Sequence, residues 1–402
     1  MNLRFVLIAL LNIFSSFIFC AAHGDDLNVR DLLKNGAARI ETDDGRVLFS
    51  YRDEELFMPA STLKIATAFC ALEELGSDFR FSTPFFLDGS SHLFVKGSGD
   101  PTLVSEELSR IALALSSLVK QVEHITIDGS LFADDLLLDG VSNSANPYDS
   151  RNAAFVGNFS TAYITRRKDG SIVSAEQQTP LTSLARTAGL KLRRGATERM
   201  NLGYDWRSGS RYGGELLAEF LKQRGVRGAM HVSLGRVPPS ARTLFTHTSS
   251  QTLADVVANL LKFSTNFTAN QIFLMLGINR YGAPGTVSKG QQALTECLQR
   301  RAGWRGFSIA EGSGLSRKNA VSARQMTQLL RHFVHYRDLL DTQDDFQAKT
   351  GSLLGVNSLA GYFSTPVSGR VRFAILINSP VPHLYKFTVA KKLRDSLIQR
   401  GL

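Results

Sequence analysis

The sequence predicts an α+β fold: helices covering an antiparallel sheet, interrupted by an inserted, mostly β accessory region. Three observations carry this. Strand pairs with turn signals stand near both ends of the chain. Strongly apolar helical runs follow the first pair and precede the second. Between them, from about 83 to 242, the chain breaks into short strands with Gly and Asp turns and one clear helix at 214–223. Strands and helices from both ends then build one layered unit. The expected division is a leader over 1–22, one domain from 23–82 and 243–402, and an insertion over 83–242 with a smaller nested module near 163–207.

The 402 residues give room for two or three domains. With 43% hydrophobic and 20% charged residues, the composition is that of a globular chain. Arg4, the apolar run 5–19 and Cys20-Ala21-Ala22 read as a signal peptide cut near Ala22. An uncleaved anchor is the alternative, because the run is long. Phe19 beside Cys20 disfavours a lipoprotein signal. The expectation is an exported, periplasmic protein, free or associated with the wall or membrane. Export means an oxidising compartment, yet the remaining cysteines, Cys70 and Cys297, are read as free buried thiols in preference to a disulfide. The formal charge is +10, and loss of Arg4 leaves about +9. Such a charge suits anionic cell-envelope polymers. The leader and the lack of a binding motif argue against nucleic acid.

Taken in order, 39–42 and 46–51 form a hairpin around Asp43-Asp44-Gly45. A helix starts at Pro59 and ends at Gly76, and its apolar run from Leu63 to Leu72 marks it as buried. In the middle, 95–103 and the strand 125–127 are the clearest pieces. A helix over 250–263 leads to Ser264, a loop holds Ser264 and Asn266, and the next helix runs 269–277. Lys349-Thr350-Gly351 sits on a strand before the pair 358–365 and 371–378, joined by Pro366-Val367-Ser368-Gly369. A terminal helix, 387–399, carries Val389, Leu393 and Leu397 on one side and is expected to pack on the sheet in preference to a membrane.

The chemistry concentrates in three short motifs. In Pro59-Ala60-Ser61-Thr62-Leu63-Lys64, a hydroxyl lies three residues before an amine, so one helical turn brings them together. A serine needs an adjacent base, and burial lowers a lysine's pKa enough to serve. Ser264-Thr265-Asn266 and Lys349-Thr350-Gly351-Ser352 follow. Each motif alone is weak; their order and setting make them strong. No metal or cofactor pattern stands out: His-Glu-x-x-His and paired Cys-x-x-Cys are absent, and His332 with His335 lacks a third ligand. His247 reads as structural. Asp149 reads as a turn residue after Pro147 in preference to a cleft-facing anion.

These residues resemble the D-Ala-D-Ala carboxypeptidase/endopeptidase family, the class C low-molecular-mass penicillin-binding proteins. Met58 to Lys64, with Ala71-Leu72 and Leu75-Gly76, resembles its nucleophile segment. Gly97-Ser98-Gly99-Asp100-Pro101-Thr102-Leu103 is similar to its Gly-Asp-Pro-Thr-Leu signature. Glu311-Gly312-Ser313-Gly314-Leu315-Ser316-Arg317 is similar to its Asp-Gly-Ser-Gly-Leu-Ser-Arg loop, with Glu311 for the usual Asp, and Asn270 replaces a common acidic residue. Lys349 to Tyr362 also fits. The resemblance covers nearly all of the chain after the leader and implies a β-lactamase/transpeptidase-like fold.

It further implies acyl transfer on peptidoglycan stem peptides, with β-lactams as inhibitors and no cofactor. Ser61 would attack, Lys64 would act as base, and the backbone of Ser61 and Ser352 would hold the oxyanion. Ser264 and Lys349 would pass a proton to the leaving amine, and Asn266 would orient the substrate amide. Lys349, Thr350, Gly351 and Ser352 would bind the terminal carboxylate, with Arg317 nearby. A β-lactamase shares the motifs, but the roughly 200-residue gap from Ser61 to Ser264 argues against it. A non-catalytic wall-binding or antibiotic-sensing protein is the reading from another class, and the intact nucleophile and base weigh against it.

Overall fold

The computed structural model describes residues 24–402, so the leader expected over 1–22 lies outside the described residues. Helix α1 (Gly24–Leu33) leads into strands β1 (Gly36–Thr42) and β2 (Val47–Tyr51), and a 3-10 turn (Ala60–Leu63) runs into α2 (Lys64–Leu75). Next come β3 (Ser82–Leu87), β4 (His92–Lys96), α3 (Ser105–Leu118) and β5 (His124–Asp128). Then follow β6 (Thr161–Arg166), β7 (Ile172–Ser174), α4 (Ser183–Gly189), β8 (Thr197–Asn201), α5 (Trp206–Gln223), β9 (His231–Leu234) and β10 (Arg242–Thr248). The chain closes with helices α6 (Leu253–Phe263), α7 (Asn266–Tyr281), α8 (Val287–Ala302) and α9 (Ala323–Phe333), strands β11 (Thr342–Gln343), β12 (Phe346–Leu353), β13 (Val356–Thr365) and β14 (Gly369–Ile377), and helix α10 (Tyr385–Gln399).

The two ends of the chain meet in one six-stranded sheet, ordered β11-β12-β13-β14-β1-β2 and antiparallel throughout. The first strand pairs with the last, Gly36 opposite Ile377 and Thr42 opposite Val371. One face buries Val389, Leu393 and Leu397 of α10 against Ile40, Leu359 and Phe373, so the terminal helix is a sheet helix, as its single apolar side predicts. The other face, with Ala37, Ala360 and Leu376, packs on α2, α6, α7, α8 and α9 through Leu63, Phe69, Leu260, Phe273, Leu294 and Leu329. Among the described residues, no helix is long and apolar enough to cross a membrane.

Two expectations need correction. The cysteines are not free: Cys70 on α2 and Cys297 on α8 form a disulfide. Their burial was readable from the sequence, but the packing of two helices 227 residues apart was not. Nor is the inserted region mostly β. It holds α3 and α5 beside a five-stranded sheet, β10-β3-β4-β5-β9, in which β4-β5 and β5-β9 are parallel. Parallel neighbours need a crossover, and the two helices supply it, burying Leu108, Ile111, Leu115, Leu216 and Phe220 against Ile125 and Ile127. A separate three-stranded sheet, β7-β6-β8, occupies 161–201.

The excursion leaves on β3 and returns on β10, which pair with each other, Ser82 opposite Thr248. It is also pinned to the core. Asn152 Nδ2 donates to the Phe267 carbonyl at 2.9 Å and to Gln271 Oε1 at 2.7 Å, while Gln271 Nε2 donates to the Ala153 carbonyl at 2.8 Å. Asp149 is a buried turn residue that accepts from Ser142 and Ser144. His247 on β10 bonds Glu107 on α3 at 2.9 Å, within the inserted unit.

Candidate active site

The nucleophile turn is held from three sides. Met58 exchanges backbone hydrogen bonds with the Asn378 side chain at 2.9 and 3.1 Å. The Pro59 carbonyl accepts from Thr62 Oγ1 at 2.7 Å and from Ser358 Oγ at 2.6 Å. Ala60 takes a left-handed φ of +48° immediately before Ser61, a conformation costly for a residue with a Cβ and one found at functional sites. Residues 60–63 form a 3-10 turn rather than the first turn of an α-helix. In such a turn residues i and i+3 eclipse, so Lys64 lies directly over Ser61.

Two glycines make the approach possible. A Cβ on Gly314, whose φ is +83°, would sit 1.8 Å from the Ala60 carbonyl oxygen. A Cβ on Gly351 would lie 2.8 Å from the Pro59 oxygen and 3.0 Å from the Ser61 nitrogen. Loop and strand therefore press their bare backbone against the nucleophile turn.

Lys64 is 0% exposed. Its Nζ lies 2.8 Å from Ser61 Oγ, 2.8 Å from Asn266 Oδ1 and 2.7 Å from the Ser313 carbonyl. A neutral amine has two N–H donors and one lone pair. The Asn266 and Ser313 oxygens can only accept, whereas a serine hydroxyl can also donate. The three partners thus fit a neutral amine whose lone pair receives the Ser61 proton. Burial, then the positive charge of Lys349, pulls the Lys64 pKa down to about 7, while Glu311 pulls it upward.

The Glu311 loop explains the first departure from the family pattern. Glu311 is buried and accepts from the backbone of Ser313 at 2.8 Å, Gly314 at 2.7 Å and Ser316 at 3.3 Å, and from Asn319 Nδ2 at 2.7 Å. The carboxylate folds the loop around itself and so aims the Ser313 carbonyl at Lys64. Asn270, the second departure, accepts from Gly312 N at 2.8 Å and tethers the same loop to α7. The far end of the loop meets the insertion, where Lys318 pairs with Asp139 at 2.7 Å.

Ser264 and Asn266 were expected in a loop, with the next helix starting at 269. Ser264 instead caps α6 in a left-handed conformation, φ +57°, and Asn266 is the first residue of α7. Two residues, left-handed Ser264 and extended Thr265, separate the helices, so the sequence gap shrinks to a corner. Asn266 turns Oδ1 to Lys64 and leaves its Nδ2 free of partners among the described residues. The Ser264 hydroxyl makes no hydrogen bond among them, so it is not wired to either lysine.

Lys349 lies on β12, buried, with Nζ 3.0 Å from the Thr350 carbonyl. Burial, then the charge of Lys386, lowers its pKa to about 8. Arg317 stands outside this group. It is exposed and donates to the Leu354 carbonyl at 2.7 Å, tying the loop to the β12–β13 turn. Lys386, in the first turn of α10, was not singled out in the sequence, although it is 0% exposed and bonds the Gly351 carbonyl and Ser352 Oγ. Nothing in one sequence marks a solitary helix lysine as part of a site. Among the described residues no cluster of three or more His, Cys, Asp or Glu could hold a metal.

The chain as a whole is similar to known proteins. The D-alanyl-D-alanine carboxypeptidase of an Actinomadura species is 25% identical over 90% of this chain and 81% of that protein. The D-alanyl-D-alanine carboxypeptidase DacB of Haemophilus influenzae is 23% identical over 88% of each. The crystal structure of penicillin binding protein 4 (dacB) from H. influenzae superposes with a TM-score of 0.74 at 20% identity, covering 94% of this chain and 98% of that one. Bd3459, a predatory peptidoglycan endopeptidase from Bdellovibrio bacteriovorus, superposes with a TM-score of 0.56 at 14% identity, covering 91% and 92%. At these identities the structural likeness speaks for the fold. The sequence pattern of the D-Ala-D-Ala carboxypeptidase 3 (S13) family matches residues 30–188, 192–346 and 340–397, and the chain belongs to that family.

Proposed function

We propose that the protein is an exported serine D,D-peptidase. It would release the terminal D-Ala of peptidoglycan stem peptides, cleave their D,D-crosslinks, or do both, through an ester on Ser61. The observation that carries this reading is the three-partner geometry of Lys64, which suits a neutral amine accepting the Ser61 proton. Ser61 Oγ bonds to the carbonyl carbon of the penultimate D-Ala while Lys64 takes its proton. The Ser61 and Ser352 backbone N–H groups receive the oxyanion. Collapse breaks the C–N bond, and the departing amine takes a proton back from Lys64; Ser264 and Lys349 are the expected relay, which requires the Ser264 hydroxyl to gain in the complex the bonds that it lacks in this structure. Water then hydrolyses the ester. Asn266 Nδ2 faces the substrate amide, and Lys349, Thr350, Gly351 and Ser352 receive the terminal carboxylate, with Arg317 at the rim.

The H. influenzae penicillin binding protein 4 has been solved with a β-lactam, and the same class is expected to acylate Ser61 here. We further propose that residues 83–242 form an accessory region on a catalytic domain built from 23–82 and 243–402, with the small sheet over 161–201 as its nested module. Intact mass spectrometry with a fluorescent penicillin, followed by peptide mapping, tests the enzymatic reading. One stable adduct on Ser61 is expected. Rapid antibiotic consumption without an adduct would make it a β-lactamase, and neither event would leave a non-catalytic protein.

A further inference from the structure

The strand side of the cleft holds more positive charge than the proposed reaction uses. Lys349 and Lys386 are both buried, and among the described residues neither forms an ion pair; the charge of Asp341 acts on Lys349, and none is resolved on Lys386. Lys386 comes from α10, whose first turn is fixed where its backbone N–H donates to Asn357 Oδ1 at 3.0 Å. From there Nζ reaches the Gly351 carbonyl at 3.0 Å and Ser352 Oγ at 2.5 Å. A buried cation without an anion is costly. Burial lowers the Lys386 pKa to about 8, and its charge in turn lowers that of Lys349.

Lys386 also sets the polarity of Ser352. An ammonium only donates, so Ser352 Oγ accepts from Nζ and must aim its own proton elsewhere. Ser352 is exposed, and its hydroxyl is therefore left as a donor with a full charge behind it, the arrangement that favours a carboxylate.

We propose that Lys386 is a positioning residue of the carboxylate subsite: acting through Ser352, it orients that hydroxyl and supplies the second positive charge for the free C-terminal carboxylate of the acyl donor. This rests on the acyl-transfer reading above. Lys386 touches no reacting atom; its effect is selective for anionic donors.

The test compares acylation of the full chain by benzylpenicillin and by its methyl ester, which lacks the charge. Lys386→Met should lower the second-order rate for the free acid by about tenfold, the scale of one charge-assisted hydrogen bond, and leave the ester within about twofold. Lys386→Arg should restore most of the preference for the acid. Lys386→Gln, which keeps a donor to Ser352 and drops the charge, provides the same comparison should the methionine variant fail to fold. An equal fall for acid and ester would show a merely structural lysine and overturn the proposal, as would no fall for the acid. Failure of the underlying reading looks different, because the unsubstituted protein then takes no penicillin on Ser61.

Discussion

The two sides of the cleft use the same residue type for opposite ends. On the nucleophile side, Lys64 has two acceptors, one hydroxyl and the positive field of Lys349 around it, a set that suits an amine without a proton, against which Glu311 pulls only partly. On the strand side, Lys349 and Lys386 bond only carbonyls and the Ser352 hydroxyl among the described residues, with Asp341 acting on Lys349 without an ion pair, a set that leaves charge to spare. Burial lowers all three pKa values. What separates a base from an anion receptor is therefore the partner set: a nearby proton donor makes the neutral form useful, and its absence makes the cation wait for an anion.

The sharpest way to break this contrast is Lys64→Ala. With no base, Ser61 should lose acylation by about a thousandfold or more, with the thermal transition retained. Penicillin labelling at the original rate would remove Lys64 from the chemistry. The expected loss is larger than any on the strand side, because it abolishes a step rather than weakening a contact.

The pH profile ranks next. Lys64 must be neutral, so acylation rises as pH passes its pKa of about 7. Lys349 must be charged, so acylation falls above about 8. A bell with limbs near these values is expected, and the limbs belong to the coupled group rather than to single residues. The coupling supplies its own check. Lys349⁺ depresses the Lys64 pKa, so Lys349→Met should move the acid limb upward by measured rate against pH. A downward shift would mean that the acid limb belongs to another group.

The same contrast explains what the sequence could reveal. Ser61, Lys64, Asn266 and Lys349 were legible because a side chain and its spacing advertise their chemistry. The Ser313 carbonyl was not, since every residue has one and only the Glu311-centred loop aims it. Lys386 was hidden because its partners lie 34 and 35 residues away on a strand. In the fold, the terminal strand pairs were readable from turns and alternation. Helix α3 was missed although Leu108, Ile111, Ala112 and Leu115 mark a buried stripe, because short strands on either side set the expectation for the whole region.

The disulfide gives the mildest test. Cys70 lies six residues along α2 from Lys64, about 9 Å by helical rise. It closes a loop of 227 residues to α8, and removing such a link costs about 2–5 kcal/mol, by relaxing the unfolded chain's constraint in the chain-entropy account. Cys70→Ala with Cys297→Ala should lower the unfolding free energy from a denaturant titration by that much. The rate of Ser61 labelling in the folded fraction should stay within about twofold, because Lys64 is placed by its own three hydrogen bonds and by the loop pressed against Ala60. A large rate loss at unchanged folded fraction would mean that the bond sets the pitch of α2. The nucleophile side would then depend on a distant tether as the strand side depends on α10.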